Sequence, residues 1–120
     1  RSNRLPISRA ARTTFSRGHM ADPVYIQRDD VPKGGAHVVE VNPGLRIAVF
    51  DTAAGFHAIN DRCPHAGGSL AEGPFDGRVA TCPLHRLQVD VTTGDSIERP
   101  VVSVRTFAVE EEGNRLKIVI

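Results

Sequence analysis

The 120-residue chain has no tryptophan, one tyrosine, one methionine and two cysteines. So few aromatic rings leave little on which nucleic-acid bases could stack. No apolar run approaches the ~18 residues that a membrane-spanning helix requires, so neither a helical span nor membrane attachment through one is expected. Acidic residues are missing altogether from residues 1–19, which carry Arg1, Arg4, Arg9, Arg12 and Arg17. Those five account for a third of the fifteen basic residues and hide the charge of the rest: ten basic against fourteen acidic residues remain, a net of −4 for residues 20–120 where the whole chain is +1. The segment ends Gly18-His19-Met20 and lacks the apolar stretch of a secretory signal. It reads as a vector-derived or otherwise non-native leader, with Met20 as the natural start and residues 20–120 as one domain. The alternative is a mitochondrial transit peptide. Without that arm no basic stripe is left for a polyanion, and no nucleic-acid partner is expected.

Helical periodicity is missing too. From Val24 onward the apolar residues alternate: Leu45, Ile47 and Val49 interleave with Arg46, Ala48 and Phe50, and the same pattern runs through Leu87, Val89 and Val91 and through Leu116, Ile118 and Ile120. That period of two predicts strands. Further strands are expected at residues 24–28, 36–41, 56–60, 77–81 and 102–109, bounded by Pro32-Lys33-Gly34-Gly35, Asn42-Pro43-Gly44, Gly73-Pro74, Thr93-Gly94-Asp95 and Gly113-Asn114. Short strands at near-regular spacing predict an all-β fold, an antiparallel sandwich or barrel. The acidic run Glu110-Glu111-Glu112 is expected to solvate the turn before Gly113, with a docking patch for a basic partner as the sharper alternative. His37 and His57, on strand-like segments, are expected at the surface or partly buried, without a ligand role.

Against this plain background the two cysteines stand out, because each has a histidine beside it. One pair lies in Asp61-Arg62-Cys63-Pro64-His65-Ala66-Gly67-Gly68-Ser69-Leu70, the other in Thr81-Cys82-Pro83-Leu84-His85-Arg86. Both fall in glycine- and proline-rich punctuation, which places them on two loops at one end of the β scaffold. Their donors point to metal-bound thiolates in a reducing compartment, the cytoplasm, ahead of a disulfide. A cysteine nucleophile is disfavoured because one reaction has no use for two boxes. Zinc fingers usually draw two cysteines from one knuckle and two histidines from a helix, whereas here each loop offers one of each. A mixed 2Fe–2S cluster accounts for the arrangement better, with two thiolates on one iron and two imidazoles on the other. Gly67, Gly68 and the two prolines would let backbone N–H groups approach the sulfurs. Leu70 and Leu84 would keep water away.

The run CPHAGGSLAEG, followed by CPLH and DVTTG, resembles the Rieske iron–sulfur proteins over roughly residues 21–120. The resemblance implies a cluster-binding subdomain on the β scaffold. Cys63 and Cys82 match the ligands of the inner iron, His65 and His85 those of the outer, solvent-facing iron, and Pro100 the third loop covering the cluster. High-potential members have extra cysteines where this chain has Gly68 and Leu84, and a serine and a tyrosine after the second box. Here Arg86, Leu87, Gln88 and Val89 follow instead, which implies a potential near the low end for such centres, roughly −150 mV. Many members read Gly-Trp-x-Phe-Asp after the second box where this chain has Arg86-Leu87-Gln88-Val89-Asp90.

The implied function is that of a soluble, bacterial-type ferredoxin, an electron-transfer component rather than a stand-alone enzyme. It would carry single electrons on one Rieske-type 2Fe–2S cluster from an NAD(P)H-dependent flavoprotein reductase to a terminal oxygenase. The alternative within the family is the small subunit of an NADH-dependent nitrite reductase, partnered by the large subunit. An alternative of another class is a zinc-stabilised binding module without a redox role.

Overall fold

The computed structural model describes residues 22–64, 67–84, 86–98 and 102–120. The leader with Met20, the two histidines His65 and His85, and Pro100 lie outside the described residues. Eight strands run along the described residues: β1 Val24–Gln27, β2 Ala36–Asn42, β3 Leu45–Thr52, β4 Gly55–Asn60, β5 Val79–Thr81, β6 Gln88–Asp90, β7 Thr106–Glu112 and β8 Arg115–Val119. The helical content described is two single 3-10 turns, Arg28–Asp30 and Leu70–Glu72. Six strands form one antiparallel sheet in the order β1-β8-β7-β4-β3-β2, and β5 pairs with β6 in a small second sheet.

Local chemistry fixes the hairpins. Between β2 and β3 the Asn42 side chain accepts the Gly44 N–H at 2.9 Å, an Asx turn that reverses the chain at Pro43-Gly44. Between β3 and β4 the Thr52 hydroxyl donates to the Gly55 carbonyl at 2.7 Å and accepts from the Ala54 N–H at 3.0 Å. Between β7 and β8 the turn needs a left-handed residue, supplied by Gly113 at φ 65°.

The segment between β4 and β7 matters most. β4 and β7 are neighbours, pairing Ala58 with Phe107 and Ile59 with Thr106, yet more than forty residues separate them in sequence. That whole insertion, containing β5, β6 and both cysteine boxes, leaves and re-enters the large sheet at one place. Contacts at its base hold it there: the Asn60 N–H donates to the Arg105 carbonyl at 2.8 Å and the Asp61 N–H to the Arg46 carbonyl at 2.9 Å.

Two apolar cores result. On one face of the large sheet Ile47, Val49, Ala58, Phe107, Leu116 and Ile118 pack together. On the other, Ala48, Phe50 and Ile59 meet Cys63, Leu70, Ala80, Cys82, Val89 and Val91 of the insertion. The alternation in β3 suggests a half-buried strand, but residues 47–50 are buried on both faces. The reason is tertiary, since the insertion covers what would be the solvent side. Phe50 seals the joint against Phe75 of the insertion, with ring centroids 4.7 Å apart.

Two expectations need correction. The strand predicted at 102–109 begins only at Thr106, because Val102 to Val104 bind sideways into the insertion: Ser96 N–H donates to the Val102 carbonyl at 2.9 Å and Val104 N–H to the Gly94 carbonyl at 2.8 Å. The run Glu110-Glu111-Glu112 belongs to β7 rather than to a turn, and each carboxylate has a cation: Lys117 at 3.7 Å, Arg28 at 3.4 Å and Arg115 at 3.0 Å. Such exposed pairs contribute little stability. They do neutralise the run, which removes the docking-patch reading. His37 and His57 are half-buried on β2 and β4, as expected.

Candidate metal centre

Each cysteine opens a short loop, and the backbone closes both loops in the same way. The Cys63 N–H donates to the Gly68 carbonyl and the Gly67 N–H to the Cys63 carbonyl, both at 2.8 Å. In the second loop the Cys82 N–H donates to the Leu87 carbonyl at 2.9 Å and the Arg86 N–H to the Cys82 carbonyl at 2.8 Å. Below each loop sits one more matched pair across antiparallel backbone, Arg62 opposite Ser69 and Thr81 opposite Gln88. At their described positions, residues 62–69 and 81–88 are therefore one motif used twice, with cysteine at its second place and proline at its third.

The motif explains a glycine and a departure. Its sixth place must be left-handed: Gly67 has φ 75° and Arg86 has φ 61°, the one non-glycine at positive φ among the described residues. An arginine there is held against a steric preference of about 1–2 kcal/mol. Arg86→Gly is accordingly expected to raise the urea midpoint, with a gain of up to about 1 kcal/mol after the greater freedom of glycine in the unfolded chain is deducted. Gly67→Ala in the twin loop is expected to lower it.

Both thiols are buried in the core between the insertion and the sheet, and that of the second loop lies against Gly68 of the first. Cys63 and Cys82 are 1% and 0% exposed. A β-carbon at Gly68 would lie 3.2 Å from Cys82 Sγ and 3.0 Å from Leu84 Cγ, so the first loop rests its backbone directly on the second. Two buried sulfurs in paired loops, with the Gly68 backbone close to one of them, suit a sulfur-rich cluster whose edges take N–H hydrogen bonds. Leu70 is buried below the loops, and Leu84 lies against Gly68 with 60% of its surface still exposed.

Two aspartates anchor the loops to the scaffold. Asp61 accepts the Ala71 N–H at 2.9 Å with its carboxylate and the Leu70 N–H at 2.8 Å with its carbonyl, while Arg46 lies 3.6 Å from the carboxylate. Asp90 accepts the Thr92 N–H at 2.9 Å, the Thr92 hydroxyl at 2.6 Å and Arg78 Nε at 2.8 Å. Burial pushes the Asp90 carboxyl up, yet the two Thr92 bonds and Arg78 outweigh it and hold its pKa below the usual carboxylate value. Sequence reading singled out neither aspartate. The DVTTG run did contain Asp90, and Asp-x-Thr before glycine is the signal of an Asx turn.

A β scaffold that carries two copies of one cysteine loop on an insertion between neighbouring strands defines a protein built to hold a metal cluster near its surface. Residues 23–108 match the family described as the Rieske 2Fe-2S domain, and the chain belongs to that family. It is 36% identical over 91 residues to the 3-phenylpropionate/cinnamic acid dioxygenase ferredoxin subunit of Shigella boydii, covering 74% of this chain and 84% of that protein. It is 32% identical over 91 residues to the ferredoxin component of the naphthalene 1,2-dioxygenase/salicylate 5-hydroxylase systems of a Ralstonia species, covering 75% and 86%. Among solved structures it is similar to the ferredoxin of carbazole 1,9a-dioxygenase from Nocardioides aromaticivorans, with a TM-score of 0.73, 27% identity and coverage of 82% of this chain and 98% of that one. The all-β expectation and the family resemblance are both borne out.

Proposed function

We propose that this chain is a one-electron carrier that takes electrons from an NAD(P)H-dependent flavoprotein reductase and gives them to a terminal oxygenase. The observation that carries the reading is the doubled cysteine loop, in which Gly68 of the first loop lies against Cys82 Sγ of the second. The similarity to dioxygenase ferredoxins supports the choice of partners. Cys63 and Cys82 would bind one iron and His65 and His85 the other, and the bound cluster would supply reversible one-electron chemistry at low potential. The chain's own share is to bury the thiolates, to offer backbone N–H groups to the sulfurs and to hold both loops at the tip of the insertion, within reach of a partner. No helix of the described residues is long and apolar enough to cross a membrane. Cytoplasmic work beside the reductase is part of the proposal.

The test is the visible and EPR spectrum of purified protein before and after dithionite, with iron and zinc counted on the same sample. The expected result is a red-brown protein with two irons per chain and a rhombic signal on reduction. One zinc and no colour, persisting through iron–sulfur reconstitution, would sink the reading in favour of a structural clip. His85→Ala is expected to bleach the visible bands, and a variant that kept them would remove His85 from the ligand set. Turnover with an oxygenase rather than with a sirohaem-containing nitrite reductase separates the two partner systems.

A further inference from the structure

Among the described residues two carboxylates are buried, Asp61 and Asp90. Burying a charge is costly and is ordinarily met by several hydrogen bonds. Asp90 follows that rule, with its three bonds from Thr92 and Arg78. Asp61 does not. Its side chain is 2% exposed, yet among the described residues it accepts one hydrogen bond, from the Ala71 N–H at 2.9 Å, and Arg46 stands off at 3.6 Å with its own side chain half in water. An asparagine would accept the same N–H. Anchoring the turn at Leu70–Glu72 therefore accounts for an oxygen at this place and not for a charge.

The position of that charge sets it apart. Asp61 stands two residues before Cys63, so their Cα atoms are at most about 7.6 Å apart. Its carbonyl accepts the Leu70 N–H at 2.8 Å, which ties it to the apolar layer that holds Leu70, Cys63 and Cys82. In such a layer a charge is felt more strongly than at the surface, because little water is there to screen it. The opposing charge of Arg46 is half exposed and partly screened, so the carboxylate dominates the field at the first loop. Asp90, by contrast, ends β6 away from the second loop and is held by Arg78 Nε at 2.8 Å.

We propose that the Asp61 carboxylate is a fixed negative charge that lowers the reduction potential of the metal centre, acting on it through its field. Reduction adds one electron to the centre, and a neighbouring negative charge opposes that addition, so the oxidised form is favoured. Arg46 acts in the opposite sense and more weakly. The inference rests on the electron-carrier reading and deepens it: the buried charge makes the reduced protein a stronger electron donor than the same loops would be around an asparagine.

The test is the reduction potential of the holoprotein, titrated with dithionite against mediator dyes at neutral pH and followed by its visible bands. Asp61→Asn is expected to keep its iron and its spectrum and to shift the equilibrium with the dyes about tenfold toward the reduced protein, which is ~59 mV for one electron. Arg46→Gln is expected to shift it the other way, by less. Glu72→Gln removes an exposed carboxylate of the same insertion and is expected to have little effect, and that only at low salt. The Asp61→Asn shift should persist at high salt, because a buried charge is screened less. An Asp61→Asn potential equal to the native one, or potentials that move the same way in Asp61→Asn and Arg46→Gln, would overturn the inference. So would loss of iron from Asp61→Asn, which would make the charge part of the loop's architecture. Each of these leaves the carrier reading standing, whereas a protein that takes up no electron from dithionite would overturn both.

Discussion

Gly73→Ala is expected to break the cluster-binding insertion although it adds a single methyl group. Gly73 has an extended backbone, φ −91° and ψ 179°, which any residue can adopt, so its glycine is not needed for a turn. It is needed for space, because a β-carbon there would fall onto the carbonyl group of Thr81 and crowd Pro83. Both neighbours are backbone or ring atoms of the second loop, and neither can rotate away. Relief would require moving Thr81, which pairs with Gln88 and positions Cys82. The expected loss is about 3 kcal/mol, at the upper end for overpacking, together with much reduced iron content. Urea denaturation and iron analysis check it. Gly44→Ala serves as the control, since its β-carbon would meet only the Asn42 side chain at an ordinary 3.5 Å. If Gly73→Ala and Gly44→Ala matched in stability and iron content, the account of the joint between the loops would be wrong.

Asp90→Ala is the second large effect, expected to lose about 3 kcal/mol. Its carboxylate side chain is 8% exposed and receives three hydrogen bonds, one of them from Arg78. Its backbone carbonyl also receives the Gly94 N–H at 2.7 Å, which closes the turn after β6. Alanine would leave the Thr92 groups without their acceptor and unfasten that turn. The pH dependence follows from the lowered pKa. A carboxylate whose folded pKa lies below its unfolded value, about 3.9, contributes stability fully above that value and loses it as pH falls through the folded value. Unfolding measured in urea at a series of acidic pH values should therefore show a loss of stability below about pH 4. Asp90→Asn, which keeps the shape without the charge, should be less stable at neutral pH and lose less on acidification. A variant whose acid limb ran parallel to the native one would show that Asp90 is not the group responsible.

Much of this was legible in the chain. Alternating apolar residues and turn-forming dipeptides located the strands to within a few positions, since a period of two admits little else. The cysteine boxes announced a metal centre because soft donors at ligand spacing have few other uses, and their doubled pattern identified the family. The sequence by itself also determined the charge, since fourteen acids and the position of the arginine-rich leader follow from counting.

What it could not determine depends on distances across the fold. Nothing near residue 50 shows that Phe50 faces a second layer, because the Phe75 that covers it arrives from an insertion. Gly73 and Gly68 look like ordinary punctuation until Thr81 and Cys82 are brought against them. The left-handed place that makes arginine an uneasy choice at residue 86 appears only once the two loops are superposed as one motif. Partnership among charges is likewise spatial: Glu110, Glu111 and Glu112 form a bare acidic run in the sequence and a neutralised ladder on β7, and Arg46, distant from Asp61 in the sequence, lies 3.6 Å from its buried carboxylate. Periodicity and donor chemistry are local and survive in a string of letters, but burial, close approach and unpaired charge are relations between distant residues, and only tertiary structure creates them.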